Sequence, residues 1–261
     1  MKSIASRDNP SYKAMAKLVA SAAERRRTGM SVLDGAHLLE AFMHAGGMPE
    51  EIMVSEAGLA DAEIARLLAR AAGVRTALLT DALFDALSTV ESPTGVIAAV
   101  RTPPSRPAPP HASLALLLED IQDPGNVGTL LRSAAAAGAD HVLLSPQCAF
   151  AWSPKVLRAA MGAHFAVNVV ERADLAAFLA TYRGTSIALT GQGERSLYDL
   201  DLRGPVALVV GNEGAGVSRT VMEACTTRAR IPIAAAMESL NAGTAGAVAL
   251  FEAVRQRSPL S

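Results

Sequence analysis

Cysteine is nearly absent. Cys148 and Cys225 are the only two in 261 residues, and neither stands at metal-ligand spacing from a partner. That excludes a disulfide-stapled framework and fits a chain kept reduced, so a cytoplasmic location is expected. The five histidines are scattered and form no cluster, so no metal is expected either. No run of eighteen uninterrupted apolar residues occurs, which leaves no candidate membrane span. The opening MKSIASRDNP lacks the apolar stretch of a secretory signal. No GxxxxGK[ST] pattern is present, so a nucleoside-triphosphate loop is not indicated. Excess charge is missing too: the formal net value is −1, which taken alone argues against a nucleic-acid partner.

What is present qualifies that last exclusion. Half of the residues are apolar, enough to bury one large core or two modest ones. Charge is also unevenly spread. Residues 1–30 carry seven basic against two acidic side chains, a net +5, and the remainder is net −6. A positive segment on an acidic body is an electrostatic footprint for phosphates. A solvated helix face is the alternative.

TPPSRPAPPH, residues 102–111, holds five prolines in ten residues. Such a run is too rich in proline for a helix or central strand and predicts a semi-rigid linker. It divides the chain into residues 1–101, a linker over 102–112, and residues 113–261. In the first part, SYKAMAKLVASAAERRR has helical spacing of Met15, Leu18, Val19 and Ala22. SVLD, EEIMVS, VRTALLT and TGVIAAV predict short strands, separated by helices around 36–45, 60–72 and 81–87. This is a compact α/β module. In the second part, LALLLE (114–119), HVLLSP (141–146), FAVNVV (165–170), SIALT (186–190), PVALVVG (205–211) and ARIPI (229–233) are short apolar runs. Helices are expected near 126–138, 153–162, 174–182, 217–225 and 241–256. Apolar runs that do not alternate suit a parallel sheet covered on both faces. The expectation is an open α/β sheet that binds its ligand beyond the C-terminal strand ends.

Three strand-exit loops carry unusual residues. After the first strand of the second part comes DIQDPGNVGTLLR, where Asn126 sits near a helix start and Arg132 follows six residues later. VALVVGNEGAG places Glu213 among Gly211, Gly214 and Gly216, which let backbone pass close to a ligand. The glycine order is GxxGxG rather than GxGxxG, and no acidic residue follows at a next strand end, so a dinucleotide oxidoreductase is a weak alternative. In ESLNAGTAGA, Ser239 and Asn241 flank Leu240 at the mouth of a helix whose first turn has no bulk. Small residues at Ala242, Gly243, Ala245 and Gly246 allow close approach by another helix or a partner subunit.

Together, PGNVGTLLR, GNEGAG and IPI…ESLNAGTAGA resemble the three motifs of the SpoU-type RNA ribose 2′-O-methyltransferases, in the SPOUT superfamily, in the family's order and with similar spacing. SPKVLRAAMGAHF (153–165) resembles a further signature. IASRDNPSYKAMAKL, RRRTG and VLDGAHLLEA resemble the substrate-binding domain that many members carry first, itself similar to small ribosomal proteins that bind kinked RNA. Asp34 stands where the family more often has Glu.

The resemblance implies an α/β fold whose C-terminal SPOUT-type parallel sheet contains a trefoil knot, preceded by a smaller ribosomal-protein-like α/β domain. It implies S-adenosylmethionine as cofactor, held by Thr190 and Gly191, by Gly211, and by the segment from Ile231 to Leu240. Arg132 would orient the ribose and stabilise developing negative charge, since its pKa is too high for a general base. Glu213 would hold Arg132 or the 2′-hydroxyl and is the second candidate for handling the proton. Asn126 and Asn241 would fix loops and substrate, with Ser239 supporting them. Arg25, Arg26 and Arg27 are the candidate phosphate contacts. A homodimer is expected, each active site drawing on both subunits. Ribosomal RNA is the favoured substrate, because a separate N-terminal domain suits a structured target. A transfer-RNA enzyme and a non-catalytic RNA-binding protein with a decayed site are the alternatives.

Overall fold

The computed structural model describes residues 1–90 and 92–258. The chain divides into two units: Met1–Pro104 with Trp152–Phe165, and Ser105–Ala151 with Ala166–Ser261.

The first unit runs β1 (Lys2–Ile4), α1 (Pro10–Ala20), α2 (Ala22–Thr28), β2 (Met30–Asp34), α3 (Ala36–His44), β3 (Glu51–Ser55), α4 (Glu56–Leu59), α5 (Ala62–Arg70), β4 (Arg75–Leu79), α6 (Asp81–Asp85) and β5 (Val96–Arg101). Its sheet has the order β1-β4-β3-β5-β2, with β5 antiparallel to both neighbours. Met15, Leu18, Val32, Met53, Leu79, Phe84 and Ile97 fill the core beneath α1 and α6. Asp34 ends β2 by accepting hydrogen bonds from the Ser88 hydroxyl, the Thr89 hydroxyl and the Thr89 N–H.

The expected helix over 11–27 is two helices. Ser21 has extended backbone, φ −123° and ψ 114°, and its side chain caps α2 by accepting from the Glu24 N–H at 3.1 Å. A break leaves helix-end carbonyls without partners. The Arg25 guanidinium supplies them, donating to Leu18 O and to Val19 O. No proline or glycine marks the break, so the apolar spacing ran across it.

The second unit contains β6 (Leu114–Leu118), α7 (Pro124–Ala136), β7 (His141–Leu144), β8 (Asn168–Val170), α9 (Leu175–Thr181), β9 (Thr185–Leu189), β10 (Arg195–Ser196), β11 (Val206–Val210), α10 (Arg219–Ala224) and β12 (Thr227–Arg230). Helix α8 (Pro154–Ala160) belongs to the first unit, and α11 (Ala242–Arg257) closes the second. The seven strands are all parallel, in the order β10-β12-β9-β11-β6-β7-β8. Every residue of β6 and β11 is buried, as their unbroken apolar runs require. Strand β12 stops at Arg230, short of the expected 233, because Pro232 has no N–H for a ladder. Strand β8 begins at Asn168 rather than 165, since Ala163–Phe165 form a 3-10 turn. The short strands β1 and β10 were not expected from the apolar pattern.

The proline-rich segment is less of a free tether than its composition predicts. Asn168 accepts from the Arg106 N–H at 2.9 Å and donates to Arg106 O at 2.7 Å. The Arg183 N–H donates to Pro110 O at 2.7 Å, and the Tyr182 hydroxyl to Ala112 O at 2.8 Å. From Arg106 onward the segment is fastened to the second unit.

The small residues of α11 face α7 within the same chain. A Cβ on Gly246 would lie 2.2 Å from Leu130 Cδ2 and 3.2 Å from Val210 Cγ2. Leu130 is fully buried and has no room to withdraw. Gly246→Ala is therefore expected to cost about 1–3 kcal/mol of stability, the usual effect of overpacking. A lowered urea midpoint for unfolding would register it; an unchanged midpoint would mean that the two helices can spread.

Candidate functional site

Strands β9, β11 and β12 are parallel neighbours that end at Leu189, Val210 and Arg230, at the C-terminal end of the sheet. The loops that follow enclose a cavity of about 410 Å3. Thr190, Gly191, Gly211, Ile231 and Leu240 line it, as do Glu213, Ser239 and Asn241. A volume of this order lies within the range of about 300–1,000 Å3 found for small-molecule sites.

The loop after β11 is folded by its own Asn212. The side-chain oxygen accepts from the N–H groups of Gly214 and Ala215, both at 2.9 Å. The side-chain nitrogen donates to Asp120 O at 2.8 Å. Gly211 has no space for a side chain: a Cβ there would lie 2.2 Å from the backbone of Gly216 and Val217. Gly216 completes the turn with φ 71°. The sequence pattern singled out these glycines but missed Asn212, whose signal was an asparagine directly after a buried strand.

Asp123, not Asn126, caps α7, accepting from the Asn126 N–H at 2.8 Å. The Asn126 side chain is thereby released to reach sideways. Its nitrogen donates to Glu213 Oε1 at 2.9 Å, and its oxygen accepts from Asn241 Nδ2 at 2.9 Å. Asn241 in turn caps α11 through its oxygen, which accepts from the Thr244 N–H at 3.1 Å. The result is a directed chain, Asn241 to Asn126 to Glu213, that joins all three sequence motifs. Glu213 also accepts longer contacts, both 3.4 Å, from the Gln122 and Asp123 N–H groups. Burial pushes its carboxyl up, but the hydrogen bonds from Asn126 and from backbone N–H groups outweigh burial and leave the pKa below the ordinary value. Glu213 is consequently ionised at neutral pH.

One expected participant stands elsewhere, and another is at the cavity but unbonded. Arg132 is exposed on α7 and does not line the cavity. Six helical residues turn it about 120° from Asn126 and advance it about 9 Å. Ser239 lines the cavity, exposed, without a hydrogen-bond partner among the described residues. The arginine cluster is divided as well. Arg25 is 5% exposed and committed to the carbonyls of α1, so it is not placed to meet a phosphate. Burial also lowers its pKa. Arg27 pairs with Glu24, and Arg26 is exposed on α2. Among the described residues there is no cluster of metal-ligating side chains, and no helix is long and apolar enough to cross a membrane.

Comparisons with known proteins identify the family of both parts of the chain. The profile of the SpoU rRNA Methylase family matches residues 113–251. That of the MRM3-like substrate binding domain matches residues 9–98. An uncharacterized tRNA/rRNA methyltransferase of Synechocystis is 34% identical over 265 residues, covering 98% of this chain and 94% of its own. The 23S rRNA (guanosine(2553)-2′-O)-methyltransferase RlmP of Bacillus subtilis is 31% identical over 254 residues, covering 96% and 98%. The solved SpoU methyltransferase AviRb of Streptomyces viridochromogenes, in complex with AdoMet, superposes with a TM-score of 0.83 at 25% identity, covering 95% and 99%.

The lowered pKa of Glu213 carries a pH signature. A carboxyl depressed on folding stabilises the fold fully above its unfolded value, about 4.3, and loses that contribution as pH falls through the folded value. Wild type is thus expected to exceed Glu213→Gln in stability at pH 7, with the gap closing toward pH 3. Urea titrations of both proteins at the two pH values measure it. A gap that stays constant with pH would exclude the carboxylate as its source.

Proposed function

The chain belongs to the SpoU rRNA methylase family, and from that premise we propose how its residues methylate RNA. It is an S-adenosylmethionine-dependent methyltransferase acting on a ribose 2′-hydroxyl, with ribosomal RNA as the substrate class. The hydrogen-bonded chain Asn241–Asn126–Glu213 beside the cavity carries this reading, because it unites three distant segments around one small-molecule site.

The cavity suits the cofactor. Gly191 and Gly211 offer backbone without side-chain bulk, Ile231 and Leu240 supply apolar wall, and the Glu213 carboxylate favours a cationic ligand. When bound, S-adenosylmethionine supplies a methyl group on a positively charged sulfur. The protein's task is to align the attacking oxygen and to stabilise the negative charge that develops on it. Asn126 and Asn241 hold the loop mouths in register. Glu213, already ionised and bonded, anchors the assembly rather than taking the proton. Ser239 offers an uncommitted hydroxyl to the substrate. Arg132 supplies the positive charge.

Because Arg132 faces away from its own cavity, we assign it to the cavity of a second copy. A C2 homodimer satisfies this, each site taking Asn126 from one subunit and Arg132 from the other. The outer face of α11, with Phe251 48% exposed, is apolar enough to join that contact. Residues 1–101 are the RNA-gripping domain, 102–112 the linker and 113–261 the knotted methyltransferase domain. Arg26, exposed on α2, is the phosphate contact retained from the arginine cluster. The protein works in the cytoplasm, where its RNA is.

Incubation with tritiated S-adenosylmethionine and ribosomal RNA should yield a labelled 2′-O-methyl nucleoside. Label appearing in transfer RNA alone would redirect the substrate, and none in any cellular RNA would refute the activity. Arg132→Ala should lower transfer by about a hundredfold or more, the usual loss of a charge-stabilising group, while cofactor affinity holds. Two inactive variants test the shared site. Mixing Arg132→Ala with Asn126→Ala subunits and letting them exchange should restore about a quarter of wild-type activity, from one intact site in each mixed dimer. Mixtures that stay inactive would place Arg132 in its own subunit's site.

A further inference from the structure

Asp120 leads from β6 into the loop before α7, and its backbone is left-handed with φ 55°. That conformation is strained for a residue with a Cβ, although Asp tolerates it better than most. It persists only where neighbours hold it in place. The neighbour here is Ser145, 8% exposed and itself tied into the sheet by donating its N–H to Leu118 O at 2.9 Å. The Asp120 N–H donates to Ser145 Oγ at 2.9 Å, and the Ser145 hydroxyl donates back to Asp120 Oδ1. This reciprocal pair fixes both sides of the left-handed residue. Its carbonyl is then presented to Asn212 Nδ2 at 2.8 Å. The other end of that amide holds Gly214 and Ala215, in the loop that lines the cavity.

We propose that Asp120 is a positioning residue for the methyl-transfer site, its left-handed turn locked by Ser145 so that its carbonyl aims Asn212 and shapes the Gly211–Gly216 loop. The inference rests on the proposed function only for the identity of the ligand. It explains why a polar residue occupies a strained position where glycine would fit without strain. Glycine would adopt the conformation because it has no Cβ, but that side of the turn would stay untied, whereas the Asp carboxylate is tied to the end of a third strand through Ser145. In this chain the end of β7 thereby takes part in holding a loop that follows β11.

Calorimetric binding of S-adenosylmethionine to Asp120→Ala, Asp120→Gly, Ser145→Ala and the double variant Asp120→Gly with Ser145→Ala tests it, alongside melting temperatures. Alanine lacks both the tolerance for left-handed backbone and the carboxylate that accepts from the Ser145 hydroxyl, keeping only the backbone N–H bond to Ser145 Oγ. Its Kd should rise by about tenfold, whereas glycine, free to keep the turn, should stay within about threefold of wild type. Ser145→Ala should weaken binding when Asp120 is intact and have little effect when combined with Asp120→Gly, a coupling that a double-variant cycle resolves. A purely structural role would lower all melting temperatures without this pattern in Kd. Equal affinity for Asp120→Ala and wild type, or glycine behaving as badly as alanine, or an undiminished Ser145 effect beside glycine, would each overturn the proposal. A wild-type chain that takes up no S-adenosylmethionine would instead overturn the proposed function, and this inference with it.

Discussion

Leu118 and Val210 are register partners at the ends of β6 and β11, so the loops that follow them leave the sheet side by side. Everything polar in the site depends on that adjacency. The two loops are stitched together in both directions. The buried Glu119 carboxylate accepts from the Ser218 N–H at 2.7 Å, reaching from the first loop into the second. Asn212 and Glu213 reach back, to Asp120 O and to the Gln122, Asp123 and Asn126 donors. A backbone group taken from water costs free energy unless it finds a partner. Here each loop supplies the partners that the other needs, so neither can adopt its shape alone.

The same pairing decides the electrostatics. A lone carboxylate at the mouth of a cavity would be driven toward its neutral form by loss of water. Glu213 is held the other way because Asn126 and backbone N–H groups all point donors at it. That makes it a fixed negative charge on the cavity wall. A carboxylate kept in its charged form by donors from the neighbouring loop ties the electrostatics of the cavity wall to its geometry.

Much of the fold was legible because burial wrote it into composition. The unbroken runs LALLL and VALVV marked strands covered on both faces, and both are buried along their whole length. What stayed hidden followed from side chains acting on distant backbone. The break at Ser21 is stabilised by Arg25, four residues on, and apolar spacing carries no trace of such a contact. Arg25 illustrates the cost: counted as positive charge it read as a phosphate contact, but its guanidinium is buried against α1. Asn126 was read only as standing near a helix start, and its bridging role depends on Asp123 taking the cap. Asn212 escaped notice because its work is done inside a turn, and Asp120 because its conformation depends on Ser145, twenty-five residues away.

Helix α11 shows how packing reaches chemistry. Helix pairs with ordinary side chains at the contact sit about 8–10 Å apart. Gly246 removes the side chain that would meet Leu130, and Gly243 leaves only 3.2–3.3 Å between its potential Cβ and the side chains of Thr129 and Asn126. The two helices can therefore approach until the amides of Asn241 and Asn126 meet at 2.9 Å. A larger residue at either glycine would lengthen that amide contact as it eased the clash, since both belong to one rigid helix. The slim first turns are thus the geometric condition for the hydrogen bond that brings the third motif to the first, and through Asn126 to Glu213.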